Sequence, residues 1–143
     1  MSSGSDSIFT RIIKGEIPCQ RVFENEYLLA FLDINPLAEG HTLVVPKEQV
    51  ERLEDLSPES AAEIGRWLGR IARWVLAATG AEGYNVLQNN GRVAGQEVPH
   101  VHFHIIPRRA GDGLGYRWNA RPADPQYLEE LAERIRAAKD AYA

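Results

Sequence analysis

Three of the chain's four histidines stand at alternate positions of His100-Val101-His102-Phe103-His104-Ile105-Ile106. A neutral imidazole offers a bare lone pair on one nitrogen and an N–H donor on the other, and its ordinary pKa of ~6.5 leaves it mostly neutral at pH 7. It is a nucleophile that needs no separate base. As a β-strand, the run would put the three histidines on one face and Val101, Phe103 and Ile105 on the other, toward a core. Same-face residues on a strand lie roughly 6.5–7 Å apart, so His100 to His104 would span about 13 Å. One metal ion needs its nitrogens at ~2.0–2.1 Å, which a straight row meets poorly. The pattern is therefore read first as imidazoles ranged along an anionic substrate, one of them a nucleophile, and second as a metal site.

Such a row needs elements to hold it and walls around it. Ser7 is placed to cap a short helix carrying Ile8, Phe9, Ile12 and Ile13, with Gly15 closing it. Cys19 to Glu24 and Tyr27 to Asp33, around the turn pair Asn25-Glu26, predict a β-hairpin. Phe31 and Asp33 then share a face. A carboxylate beside an aromatic suits the vicinal hydroxyls of a ribose, although composition alone makes Asp33 more often a strand-ending turn residue. His41 to Pro46 predicts a third strand. Ser57-Pro58-Glu59 opens a long helix closed by Gly80, with Ile64, Trp67, Leu68, Ile71, Val75 and Ala78 on its apolar stripe. Trp74 widens that stripe and points to a second buried surface.

Tyr84 to Asn89 predicts a fourth strand, and the glycine-spaced loop from Asn90 to Gln96 could bring backbone N–H groups against phosphate oxygens. Asn89 could add its amide. Pro107 is expected to end the histidine strand, and Arg108-Arg109 is either solvated surface or an attraction for an anion. Tyr116-Arg117-Trp118 is a candidate flap over a pocket, the partner subunit's included. Asp124-Pro125 caps a last helix with Leu128, Leu131, Ile135 and Ala138 on one face, expected to dock on the body or on a second subunit.

A chain of 143 residues, 44% hydrophobic, is read as one domain over 6–143, with residues 1–5 a flexible tail and 121–143 a helical extension. A net charge of −4 argues against general affinity for nucleic acid or acidic membranes. Cys19 is the single cysteine, so no intramolecular disulfide forms. No basic-apolar leader and no run of ~18 apolar residues is seen, and a cytoplasmic location is expected.

Gly95-Gln96-Glu97-Val98-Pro99 followed by the histidine run resembles the signature of the histidine triad (HIT) family. The resemblance extends to Asp6-Ser7-Ile8-Phe9-Thr10-Arg11-Ile12-Ile13, Glu16-Ile17-Pro18, Ala30-Phe31-Leu32-Asp33-Ile34 and Gly40-His41-Thr42-Leu43-Val44-Val45-Pro46. Its single-domain, bacterial Hint-like branch is the nearest match. The resemblance implies an α+β fold with an antiparallel sheet of about five strands, a long packing helix, and a homodimer that makes the sheet continuous. It implies a small nucleotide as partner, bound by Ile8, Phe9, Ile12, Ile17, Phe31, Asp33, Asn89, Gly95, Gln96 and Glu97.

The same resemblance assigns the covalent step to His102, through a nucleotidyl-histidine formed at the α-phosphorus of purine nucleoside phosphoramidates or related adenylated compounds. His104 would donate to the phosphate or leaving group, His100 would order the row, and His41 would support it. Alternatives are a dinucleoside polyphosphate hydrolase, favoured by the Arg-rich exit, and a nucleotide-binding adaptor without chemistry. No cofactor is expected. Family members with Cys-x-x-Cys in the amino-terminal pattern hold a structural zinc with histidines corresponding to His41 and His100. Here those cysteine positions are Ser7 and Thr10, so no zinc is expected. Glu97 stands where the Hint branch has serine, either as a general acid or against a cationic leaving group.

Overall fold

The computed structural model describes residues 5–115 and 119–142. Residues 1–4 of the expected tail, and the candidate flap Tyr116-Arg117-Trp118, lie outside them. The elements are α1 (Ile8–Ile13), β1 (Arg21–Glu24), β2 (Leu28–Leu32), β3 (Thr42–Pro46), α2 (Pro58–Thr79), β4 (Gly83–Leu87), β5 (Phe103–Arg108) and α3 (Pro125–Tyr142). The five strands form one antiparallel sheet in the order β1-β2-β3-β5-β4.

Both faces of this sheet are covered, which explains why β2 and β3 read as unbroken apolar runs. Leu28, Ala30, Val44, Phe103 and Ile105 point to the face packed by Ile64, Ile71, Ala72 and Val75 of α2. Leu29, Phe31, Leu43 and Val45 point to the other face, where Phe9 of α1 covers them. His104, between Phe103 and Ile105, therefore falls on the α1 side. That side carries the site.

The helices end where their capping chemistry places the ends. Ser7 Oγ accepts from Thr10 N–H at 3.0 Å to start α1, and Ser57 Oγ does the same for Ser60 in α2. Gly80 closes α2 at φ +74, a conformation that suits glycine. Trp74 packs within the chain, its ring 5.6 Å from Phe23 and 6.3 Å from Trp67, and is still 41% exposed.

Two expectations about elements are corrected. The triad strand begins at Phe103, not His100. Its ladder with β3 runs from Thr42↔Ile105 to Val44↔Phe103, and the next stretch of β3 ends in Pro46, which has no N–H to give. The incoming chain bends instead, with His100 N–H on Val98 O and Val101 N–H on Val50 O. Pro107 lies inside β5 rather than ending it. Past Ile105 only β4 flanks the strand, so a proline costs no bond to β3 there. Of the two surfaces expected to receive α3, the body does not take its stripe, since Leu128 and Ile135 remain exposed in the single chain.

Candidate active site

Ile8, Phe9, Ile12, Ile17, Phe31, Asp33, Asn89, Gly95, Glu97, His102 and His104 line one cavity of about 450 Å³. Helix α1, the end of β2, the loop before β5 and β5 itself each supply part of it. Leu43, Leu87 and Val98 also line it and were missed from sequence. Leu43 was within reach, since it sits opposite Phe31 in the β2–β3 ladder and shares its face.

The hydrogen bonds determine which nitrogen of each histidine carries the proton. A backbone carbonyl only accepts, so His102 Nδ1, 2.7 Å from His100 O, is the protonated nitrogen. His102 Nε2 is left with the lone pair. A backbone N–H only donates, so His41 Nδ1, 3.0 Å from Leu37 N, is bare and its Nε2 carries the proton. That Nε2–H donates to His104 Nδ1 at 2.9 Å. His104 Nε2 therefore keeps its own hydrogen. The two imidazoles of the cavity, with ring centroids 5.0 Å apart, present opposite functions: a lone pair at His102 and a donor at His104.

Asp33 stands beside this pair, its Oδ2 3.6 Å from His41 Nε2 and its Oδ1 accepting from Asn35 N–H at 2.8 Å. Burial pushes His104 down to about 4, helped by the like charges His102 and His41 would carry and opposed by Asp33. His102 is lowered by burial against the pull of its carbonyl partner and of Asp33. His41 is lowered by burial against Asp33, and His100 by burial against its bond to Pro46 O. Every one of the four is held neutral. Turnover is thus expected to stay level as pH falls from 8 through 6.5, with its acid limb displaced below the ordinary histidine value. Stability has the matching sign: the unfolded chain takes up more protons below pH 6.5, so stabilisation present above 6.5 is lost as pH falls. A pH–rate profile and a urea series across the same range check both.

His100 is not in the cavity. It is fully buried, with Nε2–H donating to Pro46 O at 2.8 Å and Nδ1 accepting from Ser7 Oγ at 2.6 Å. The straight row of three therefore becomes a pair with an anchor behind it, because the chain bends before Phe103. Gln96 is likewise turned inward. Its Nε2 donates to Glu51 O and Val98 O, and its Oε1 accepts from Gly91 N–H, so it staples the loop rather than contacting a ligand in this cavity. Nor does the arginine pair face an anion site. Arg108 forks onto Asp112 and reaches Asn85 and Leu114 O, holding the Asp112 carboxyl far below the usual carboxylate range. Arg109 donates to Thr79 O and Gly80 O at the carboxyl end of α2.

A family model, the HIT domain, matches residues 14–111. The chain is 47% identical over 129 residues to the adenosine 5'-monophosphoramidase hnt1 of Schizosaccharomyces pombe, covering 90% of this chain and 94% of that one. The chain belongs to the HIT family. Its fold superposes with a TM-score of 0.88 on a HIT family member from Bacillus subtilis, 39% identical, with 93% of this chain and 96% of that one covered. A zinc-bound histidine triad family protein from Mycobacterium smegmatis is 37% identical over 99% of this chain and 100% of that one, with a TM-score of 0.73.

Zinc does not suit the corresponding groups of this HIT chain. His41 groups with Asp33 and His104 rather than with His100, whose ring bonds Pro46 O and Ser7 Oγ, so it is not a co-ligand of His100. Gln49 takes that place, its Oε1 accepting from Ser7 N–H and from Thr10 Oγ1. Two hydroxyls and an amide are poor zinc donors, and the Ser7 hydroxyl is given to His100 Nδ1 at 2.6 Å. Asp33, His41 and His104 do bring three ligand atoms within 4.8 Å of one another, two of them joined by the 2.9 Å His41–His104 hydrogen bond. Gln49 carried no sequence signal, being a glutamine in a loop 39 residues from Thr10.

Proposed function

We propose that this HIT protein is a nucleotide hydrolase that opens the α-phosphoryl bond of purine nucleoside phosphoramidates, or related adenylated compounds, through a nucleotidyl-histidine on His102. The observation that carries this is the opposed tautomers of His102 and His104 in one cavity with Asp33. His102 Nε2 attacks phosphorus and the P–N bond to the leaving amine breaks, the amine departing with a proton drawn from the solvent side. His100 O accepts the Nδ1–H of the cationic imidazole that results. His104 Nε2–H donates to the phosphoryl oxygens, where charge concentrates in the transition state. Water then cleaves the phosphorus–His102 bond, releasing the nucleoside monophosphate and returning the proton.

The base is assigned to the apolar wall of Ile8, Phe9, Ile12 and Phe31, and the ribose to Asp33. Gly95 and Asn89 face the phosphate, and Glu97, exposed at the cavity mouth, faces the leaving group and favours a cationic one. The arginines that pointed toward dinucleoside polyphosphates are committed to loop and helix contacts, which favours the phosphoramidate class. Asp33→Asn is expected to raise KM for adenosine 5'-phosphoramidate about tenfold, from the loss of charge-assisted hydrogen bonds worth about 1.5 kcal/mol or more. The 2'-deoxy substrate should show the same penalty with the parent and little further penalty with the variant. Equal KM values for ribose and deoxyribose substrates in the parent would remove Asp33 from ribose recognition.

The active form is assigned to a homodimer paired through β4 and α2. Support comes from β4, an edge strand with Tyr84 and Val86 exposed at 40% and 45%. Open edges of this kind invite pairing. Light scattering is expected to give twice the 16.0 kDa chain mass; a monomer at micromolar concentration would refute the shared sheet.

A further inference from the structure

We propose that Ser7, Thr10 and Gln49 are positioning residues that hold His102 in its nucleophilic tautomer by latching the buried side chain of His100. The inference rests on the nucleotidyl chemistry assigned to His102 and names groups for which that chemistry has so far had no use. The starting observation is that His100 serves His102 through its backbone, not its ring. Its carbonyl receives His102 Nδ1–H at 2.7 Å. The imidazole of His100 fixes where that carbonyl points, and it is held at both ends: Nε2–H on Pro46 O at 2.8 Å, and Nδ1 receiving the Ser7 hydroxyl at 2.6 Å.

Since Pro46 O only accepts, His100 Nδ1 must be bare, and among its described contacts Ser7 Oγ–H is the short donor to it. Thr10 Oγ1 lies further off at 3.5 Å and gives its own hydrogen to Gln49 Oε1. Gln49 Oε1 also takes Ser7 N–H at 2.9 Å, and Gln49 Nε2 donates to Ser5 O at 2.8 Å. Ser7 Oγ accepts Thr10 N–H at 3.0 Å. Ser7 Oγ also lies 3.3 Å from Thr10 Oγ1, but its one hydrogen goes to the shorter contact at His100, so that Gln49 holds Ser7 and Thr10, Ser7 holds His100, and His100 holds His102. The hydroxyls and amide that suit zinc poorly are the groups that make this latch.

The latch also joins binding to chemistry. Ser7 caps α1, and two residues on, Phe9 packs edge-on against His102 at 4.8 Å, His100 at 5.7 Å and Phe31 at 6.0 Å. The helix that walls the cavity and the carbonyl that orients the nucleophile are thus fastened by one hydroxyl.

The test is steady-state kinetics together with nitrogen-15 spectra of the histidine rings in the full-length protein, for Ser7→Ala and Ser7→Thr. Ser7→Ala is expected to lower kcat about tenfold, a displaced reacting group being costly, and KM should move less than about threefold on the same reasoning. The His102 ring resonances should move from a fixed Nδ1–H tautomer toward a mixture. Ser7→Thr, which keeps the hydroxyl, should restore both. A loss confined to KM with His102 resonances unchanged would overturn the proposal and leave Ser7 a helix cap alone. Should Ser7→Ala fail to fold, Gln49→Met, at an exposed position, replaces it; a kcat lower by about threefold with the same spectral change is expected, and no change in either overturns the latch. The ring spectra need no substrate. They separate failure of the latch from failure of the nucleotidyl reading, which a His102→Ala protein with parental turnover would show.

Discussion

Replacing His102 by alanine is expected to abolish nucleotide turnover, lowering kcat for adenosine 5'-phosphoramidate by about 10⁴-fold or more, as loss of a covalent nucleophile does. AMP affinity should stay within about threefold, because transition-state contacts rather than ground-state ones are removed. The argument lies in proton placement. His102 Nδ1 is committed to His100 O, so Nε2 has a lone pair at every pH where the ring is neutral, and burial extends that range downward. No neighbour can replace it: His104 shows its donor to the cavity, and His100 is fully buried beneath α1 with both ring nitrogens bonded. The variant should fold, since only His100 O loses its partner and a carbonyl tolerates this better than a buried N–H. Single-turnover kinetics and AMP titration measure the two quantities separately.

His104→Ala carries the second large effect, a fall in kcat of about 10²–10³-fold, the usual cost of deleting a donor aimed at developing phosphoryl charge. His41 is a positioning residue here. Its Nε2–H, oriented by Leu37 N–H, leaves His104 able to donate only through Nε2. In the His104 variant that N–H has Asp33 Oδ2 at 3.6 Å as a substitute acceptor, so stability should be largely kept. His41→Ala should then cost about tenfold in kcat, because His104 survives but its tautomer is released. An effect of His41→Ala as large as that of His104→Ala would mean that His41 touches the reacting groups itself.

Much of the fold was legible because its signals are local. Ser7 and Ser57 before apolar runs and Gly80 after one reflect short-range backbone chemistry and set the helix ends, while the α+β sheet of five antiparallel strands is what the family resemblance implied. The cavity residues of α1 came from the same resemblance, and only the shared face of Phe31 and Asp33 was read from strand period. What escaped were long-range commitments. Pro46 and Val50, some fifty residues before the triad, take the bonds that bend the chain at His100. A period of two cannot announce that. Gln96 and Arg108 were polar residues near a predicted anion site, yet Glu51 O and Asp112 claim them first. Gln49 joined the Ser7 cluster only through tertiary placement.

The most direct test of the central claim is mass spectrometry of acid-free, rapidly quenched protein after one turnover with adenosine 5'-phosphoramidate, with peptide mapping of the adduct. The account predicts one adenylyl group per active chain, on the imidazole of His102, appearing and decaying at rates consistent with turnover, and absent from His102→Ala. Steady turnover with no adduct at any quench time, together with inversion of configuration at phosphorus, would mean that water attacks directly, and would contradict the nucleophilic role of His102.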